Sequence, residues 1–426
     1  MRVRRLVSGC CSVALLMTMS VLADRFHEQR NVTLYAAGLA VDGAGRTVEL
    51  TTSDQLIDGT RALRDASAAA ATQRRWLASG TVPEVPGLDR SLFRDALLDL
   101  QMLTRDHGVT VAGWSPAWRY VWPRDSALVI SAYARTGHRA EAEALLDFLQ
   151  DAQPPDGGFQ ARYRPDRPGA VPDGRGLQRD GAGWVVWALA ELVDRASTEQ
   201  RTAYALRYRD LLDRSTRALA DGLDRESGLP RPSADYWETD DQQSTLATAA
   251  ITLAGLRASA RLHELLGRPA PEDLTAAADR LESTVLARFA ERGFPRTASA
   301  GARSVDLGVT FLLPPLGGVT EPSVTASWAR SPRFMARPAG GLAPGGSWRD
   351  DGISWTPTVA SYAMAAGCAD PVVARHWLGW LAGHRTAFGA LPEKVLADGT
   401  PASVAPLAWT AAAVVVAGDE VERGCR

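Results

Sequence analysis

The chain has 426 residues, 46% hydrophobic and 23% charged, and 47 basic against 49 acidic side chains give a formal net charge of −2. This composition is too apolar for a disordered chain and too charged for a polytopic membrane protein, and its neutral balance gives no sign of nucleic acid or anionic lipid as a partner. The length admits two or three average domains, or one large closed barrel. Lys394 is the only lysine and Asn31 the only asparagine, a bias that suggests a GC-rich genome.

Met1-Arg2-Val3-Arg4-Arg5 precedes an apolar stretch from Leu6 to Ala23, which the charged run Asp24-Arg25-Phe26-His27-Glu28 ends. Residues 1–23 therefore read as an export signal, with Val21 and Ala23 small enough for cleavage after Ala23. The stretch is also near the minimum for a membrane span, so an uncleaved anchor is the alternative. Either way the protein is expected to be secreted or anchored facing out of the cytoplasm. Val7-Ser8-Gly9-Cys10 resembles a lipobox, but it precedes the apolar stretch instead of ending it, which argues against lipidation. Cys10 and Cys11 belong to this segment, leaving Cys368 and Cys425 to pair outside the cell or to stay as free thiols. Six scattered histidines with no HExxH or CxxC make no zinc pattern, and neither metal nor cofactor is expected.

Residues 24–58 form a short β-like lead-in, with a small hairpin expected from Asn31–Ala36 and Arg46–Thr51 around Asp42-Gly43-Ala44-Gly45. From Asp58 onward Ala/Leu-rich segments predict helices over 59–79, 89–106, 124–136, 138–152, 181–195, 198–222, 241–266, 271–290, 319–330, 353–367, 371–384 and 404–417. Some carry one apolar stripe, as in Leu145, Leu146, Phe148 and Leu149. Others, such as Gly183–Leu192 and Val404–Val416, are apolar nearly all round and read as buried. Amphipathic helices alternating with buried ones predict an all-α (α/α)6 toroid, and without a Pro/Ser linker residues 59–426 read as one domain. The long loops 107–123, 153–180, 223–240, 291–318, 331–352 and 385–403 are where chemistry is expected.

Three of these loops pair carboxylates with aromatic residues: Trp118-Arg119-Tyr120-Val121-Trp122-Pro123-Arg124-Asp125, Asp235-Tyr236-Trp237-Glu238, and Leu391-Pro392-Glu393-Lys394 ahead of Pro406-Leu407-Ala408-Trp409. Gln178-Arg179-Asp180-Gly181 and Trp348-Arg349-Asp350-Asp351 repeat the mixture. Sugars call for it, because an apolar ring face stacks on tryptophan while hydroxyls bond to Asp and Arg. Glycosidic bonds are cleaved by two carboxyl groups, one protonated and one ionised. Trp237 would give Glu238 the desolvated setting a general acid needs, and Lys394 either places a cation beside Glu393 or points to solvent. Taken singly each residue has a plainer reading: Trp as core packing, Asp125 as an acid on a helix dipole, and Glu238 and Glu393 as solvated surface.

In order, these motifs resemble glycoside hydrolase family 15, the glucoamylase and glucodextranase family of (α/α)6 barrels, over about residues 90–417. Tyr120-Val121-Trp122-Pro123-Arg124-Asp125-Ser126 is similar to the family's YxWxRDS signature, which implies that Arg124 and Asp125 hold the terminal sugar beside Trp122 and Trp118. Gln178 and Asp180 match a Q-x-D-G segment, and Trp237 precedes an implied general acid, Glu238. Glu393 falls where the family has its general base, with Trp409 in the P-L-x-W that follows. The resemblance implies an inverting exo-acting hydrolase that releases glucose from α-linked glucans or oligosaccharides, acting as a monomer. There are departures. Thr239 stands where many members have a second Glu contacting the +1 sugar, and Trp118 stands where Tyr is common. Arg349 lies in a compressed segment ending at Trp355, and residues 24–58 are too short for the β-sandwich that precedes many bacterial barrels. Trehalose hydrolysis and a non-catalytic carbohydrate-binding toroid are the alternatives. A terpene or lanthionine cyclase is disfavoured because there is neither a DxDD run nor a zinc set.

Overall fold

The computed structural model describes residues 33–268, 273–367 and 369–424. The expected export segment, Cys368 and Cys425 lie outside them. Among the described residues fifteen α-helices and nine short strands follow one another. Helix α1 is Ser67–Ala78, α2 Ser91–Arg105, α3 Pro123–Thr136, α4 Arg139–Ala152 and α5 Gly181–Asp194. Helix α6 is Thr198–Arg207, α7 Arg209–Asp221, α8 Leu246–Leu265, α9 Leu274–Phe289 and α10 Gly308–Phe311. Helix α11 is Pro322–Arg330, α12 Pro332–Met335, α13 Thr356–Ala366, α14 Pro371–Gly383 and α15 Ala408–Arg423.

Helices α3, α5, α8, α10, α13 and α15 form a closed inner ring, each packing on the next and α15 returning to α3. Helices α2, α4, α7, α9, α11 and α14 cover them from outside, which makes the (α/α)6 toroid. Side chains decide the layers. Every residue of α3 is buried, whereas α4 buries a stripe of Ala142, Leu145, Leu146, Leu149 and Ala152 and turns its charges outward. Where α5 crosses α8 the backbones touch: a Cβ on Gly183 would lie 2.4 Å from the Ile251 carbonyl oxygen, and one on Gly255 would lie 2.6 Å from the Gly183 Cα. Only glycine permits that approach. At the C-terminal ends of the ring, buried Arg135 of α3 bonds Glu191 of α5 at 2.7 Å, Asp419 of α15 at 3.2 Å, and Glu420 of α15.

Several expected bounds shift. Residues 59–66 are not helical: Val41 and Ala62 form a bridge, and the Arg61 guanidinium is drawn inward to Asp99, 2.5 Å away on α2. The expected helix 198–222 is two helices, broken at Tyr208, whose buried ring sends its hydroxyl to Asp147 at 3.0 Å. The fourth inner helix, α10, lies in the expected loop 291–318. The hairpin's second strand is β2 (Thr47–Glu49), but its partner β1 is Leu39–Val41; of the expected first strand Asn31–Ala36, residues 31–32 lie outside the described residues and Leu34 bridges Ser403 instead.

The other strands tie loops at the N-terminal rim of the ring. Strand β3 (Phe159–Gln160) pairs with β6 (Leu177–Gln178), and β4 (Tyr163–Arg164) with β5 (Arg167–Ala170). Strands β7 (Ser354–Trp355), β8 (Lys394–Val395) and β9 (Pro401–Ala402) form one antiparallel sheet. The lead-in runs along that sheet, with the Tyr35 amide donating to the Ser403 carbonyl at 2.9 Å.

Candidate active site

The N-termini of four inner helices, α3, α10, α13 and α15, converge on a cavity of about 350 Å3. Trp122 precedes α3, whose first turn holds Arg124 and Asp125. Leu307 precedes α10, Pro357 and Thr358 open α13, and Leu407 and Trp409 bracket the start of α15. Pro123 at the first helical position starts α3 where its missing N–H costs nothing. Helix N-termini carry partial positive charge, so this end of the ring favours oxygen-rich ligands.

Glu238 and Glu393 both line this cavity, together with Trp118, Trp122, Trp237 and Trp409. Glu238 sits at φ +54°, a left-handed conformation that costs a glutamate on the order of 1–3 kcal/mol and is held by its surroundings. Its amide donates to the Asp235 carbonyl at 2.8 Å, and the Trp237 amide to Asp235 Oδ1 at 2.9 Å. Glu238 Oε1 accepts from Trp122 Nε1 at 2.6 Å, and Oε2 from Arg175 Nε at 2.8 Å. Arg124 Nη2 lies 3.8 Å from Oε1.

Glu393 hangs from the rim sheet. Its amide donates to the Val404 carbonyl, and its carbonyl accepts from the Thr356 amide at 3.0 Å. Oε1 accepts from Trp118 Nε1 at 3.2 Å and Oε2 from Ser403 Oγ at 2.6 Å. Ser403 is itself left-handed at φ +66°. Lys394 does not turn to solvent: its Nζ is 3.4 Å from Glu393 Oε2 and 4.4 Å from the Trp355 ring centre.

Asp125 is buried at the cavity floor. Burial pushes its carboxyl up to about 6; adjacent Arg124 opposes the rise, and Glu238 and Glu393 add to it. Arg124 Nε is buried with no hydrogen-bond partner among the described residues, 3.9 Å from Asp125 Oδ2, and its guanidinium lies 5.1 Å from the Trp409 ring centre. Three indole N–H groups of the wall, on Trp237, Trp348 and Trp355, also have no such partner. Buried Trp and Arg donors are normally bonded, so four such orphans around one cavity are unusual.

Not every expected substrate contact reaches the cavity. Gln178 and Asp180 are buried behind it. Gln178 Oε1 accepts from Arg124 Nη1 at 3.3 Å, and Asp180, raised to about 6 by burial, accepts from Trp184 Nε1 at 3.1 Å. Both brace the floor. Arg349 is not among the lining residues; its guanidinium lies 5.4 Å from the Trp348 ring centre. Conversely, Arg175, Tyr236, Trp348 and Trp355 line the cavity without having been singled out as ligand contacts. Behind the Glu238 loop, buried Arg296 binds Asp235 at 2.9 Å, Asp241 at 2.7 Å and Asp306 at 3.0 Å, its guanidinium 4.0 Å from the Trp237 ring centre. Tyr236 and Trp348 lie in the aromatic-carboxylate segments, Arg175 stands between two glycines, and Arg296 and Ser403 carry no such signal in sequence.

A larger groove of about 980 Å3 lies between α8 and α9, but its Arg257, Arg261 and Arg268 are each paired, with Glu282, Asp194 and Asp213.

No protein-family model matches the sequence, and no curated protein does. Solved structures do match the fold. A wild-type glycosidase is 20% identical, with a TM-score of 0.67 over 79% of this chain and 99% of its own. A bacterial glucoamylase complexed with acarbose is 14% identical, with a TM-score of 0.64 over 84% of this chain and 61% of its own. A family 15 glucoamylase from Hypocrea jecorina is 16% identical, with a TM-score of 0.57 over 75% of this chain and 68% of its own. At these identities the likeness establishes the (α/α)6 fold.

Proposed function

We propose that the protein is a glycoside hydrolase, and specifically an exo-acting, inverting one that releases glucose from the non-reducing ends of α-linked oligosaccharides or glucans. One observation carries this reading: Glu238 and Glu393, on loops 155 positions apart in sequence, line the same aromatic cavity. A structural or binding toroid has no use for two such carboxylates in one sugar-sized pocket. Structural neighbours that are glycosidases and glucoamylases, one glycosidase variant in complex with glucose, support the same reading.

In the reaction, Asp125 and the free N–H of Arg124 hold hydroxyls of the terminal sugar, with Trp122 and Trp409 walling the site. Protonated Glu238 gives its proton to the glycosidic oxygen as the bond from C1 to that oxygen breaks. Ionised Glu393 takes a proton from a water whose oxygen bonds C1 from the opposite face. Each turnover leaves Glu238 ionised and Glu393 protonated, and exchange with solvent resets them. Ser403 and Trp118, one on each oxygen, aim the Glu393 carboxylate at that water. With the sugar chain end as its substrate and the 1–23 segment as export signal or anchor, we place the protein outside the cytoplasm.

The test is the anomeric form of the sugar freshly released from maltose, isomaltose and trehalose, followed by proton NMR. Release of the β-anomer from an α-glucoside is expected. From maltose and isomaltose, new α-anomer in place of β-anomer beyond the mixture that the reducing-end unit already carries, or from trehalose two α-anomers in place of one α and one β, overturns inversion, and no release from any of the three α-glucosides overturns the glucosidase reading.

A further inference from the structure

Resting on the hydrolase reading, we propose that Arg175 makes the leaving-group side of this site selective for an aglycone that carries an anion, a carboxylate or a phosphate.

Glu238 has one oxygen occupied by Trp122 Nε1 and the other by Arg175 Nε at 2.8 Å. A charge-assisted bond to a guanidinium is an interaction of the ionised carboxylate, whereas the acid must enter the reaction neutral. The Arg175 contact therefore has to be exchanged as the substrate binds. Its position decides what it is exchanged for. Arg175 lines the cavity next to the oxygen that would protonate the leaving group, so its guanidinium stands where the aglycone must come. An anionic aglycone takes over the guanidinium and frees Oε2. A neutral aglycone has to break the ion pair with nothing of equal strength in return.

Three further observations fit. Beyond Glu238, Arg175 is held by Asp173 alone, its amide bonding Oδ1 at 3.3 Å and Nη1 bonding Oδ2 at 3.1 Å, while Nη2 bonds none of the described residues. Its neighbours Gly174 and Gly176 hold φ +78° and +70°, and a Cβ added to either would meet nothing within 4 Å, so the loop has room to shift. Asp173 is anchored elsewhere, at 2.6 Å to Arg162, so it stays behind as Arg175 turns. Second, the residue after Glu238 is neutral Thr239, its hydroxyl on Asp241, so no carboxylate at that position compensates Arg175. Third, the cavity wall carries Arg124, Arg175 and Lys394 against Asp125, Glu238 and Glu393. Once Glu238 is protonated, as the acid must be, cations exceed anions by one, and Arg175 is the cation at the acid's outer oxygen.

The experiment compares kcat/KM of the full-length protein on three α-D-glucosides that differ only at the end of a two-carbon aglycone: 2-carboxyethyl, 2-(phosphonooxy)ethyl and the neutral 2-carbamoylethyl. At least one anion is expected to be favoured over the amide by about tenfold, the worth of one partly exposed charge-assisted bond, and the better of the two identifies the anion. Arg175→Gln should bring that ratio close to one, by lowering turnover of the anion and raising that of the amide, and added salt should erode it in wild type. Equal or better turnover of the amide by wild type overturns the inference and leaves the hydrolase reading intact. A ratio that survives in Arg175→Gln likewise overturns the role of this residue. Absence of turnover on all three, with none on maltose, isomaltose or trehalose either, removes the hydrolase reading and this inference with it.

Discussion

The two carboxylates of the cavity are held in opposite ways. Glu393 directly precedes strand β8, with a backbone bond on each side, and its side chain is 11% exposed; its oxygens are taken by Ser403 and Trp118, from loops that the lead-in and the rim sheet hold in place. Glu238 is on a turn at positive φ, its side chain is 24% exposed, and one of its two partners is an arginine on a glycine-flanked loop. The difference matches what the proposed inverting mechanism would demand of Glu393 as its base and Glu238 as its acid. A base must aim a single water at one carbon and gains from rigidity. An acid must give up its resting partners to a leaving group that arrives from outside. The rigid side is thus expected to set the rate of chemistry, and the looser side to set which aglycone is accepted.

The most severe way to break this contrast is to remove either carboxyl. Glu393→Gln and Glu238→Gln are each expected to lower kcat by about a thousandfold or more, since each removes proton transfer without removing the sugar contacts. KM should change little, and steady-state assays on maltose or isomaltose read both. If only Glu238→Gln mattered, Glu393 would not be the base.

Arg296→Met probes what holds the Glu238 turn. It leaves Asp235 and Asp306 buried without their cation, which is expected to cost about 3–5 kcal/mol of stability. Thermal unfolding should show a large fall in Tm. Arg296→Lys, which keeps the charge but not the fork, should fall between it and wild type.

Asp125→Asn separates function from stability. With its carboxyl pushed up to about 6, Asp125 is uncharged below that value, so kcat/KM should fall on the acid side near pH 6, and the variant should lack that limb. For stability the sign is the reverse. The folded chain holds this proton to higher pH than the unfolded chain, so the cost of charging Asp125 grows as pH rises from about 4 to about 6 and is complete above it. Asp125→Asn should therefore raise Tm more at pH 7.5 than at pH 5, while lowering activity at both. A variant less stable than wild type at pH 7.5 would contradict the burial argument.

The smallest expected effect is that of Ser403→Ala. Losing one bond to Glu393 should lower kcat about tenfold at unchanged KM, because it loosens the base and leaves the sugar contacts alone. An equal loss in a comparable variant on the acid side, Asp173→Asn, would blur the contrast between the two sides.

Much of this was legible in the chain itself. Buried helices such as α3 and α5 are apolar all round, and outer ones such as α4 carry a stripe, so alternating layers follow from local pattern. Pro123 and Asp125 mark a helix start, and the aromatic-carboxylate loops stand out against them. The misjudged pieces have a common cause. Residues 59–66 have a helical composition, but the Arg61–Asp99 pair and the bridge to Val41 outbid it. Tyr208 breaks a continuous helical pattern because its hydroxyl reaches α4. Helix α10 is four residues long and ends before Pro314-Pro315, too short to show a period.

The sequence by itself determined the kinds of group present: a toroid's two layers of helix, acids beside tryptophans, and a single lysine next to a glutamate. Local periodicity and residue chemistry suffice for that, because each involves neighbours along the chain. Only the tertiary structure decided which of them meet. It brought Glu238 and Glu393 to one cavity, set Gln178 and Asp180 behind it as supports, turned Lys394 inward, and laid Arg175 across Glu238. Those contacts join loops far apart in sequence, and closing the ring of inner helices is what brings the loops to one rim.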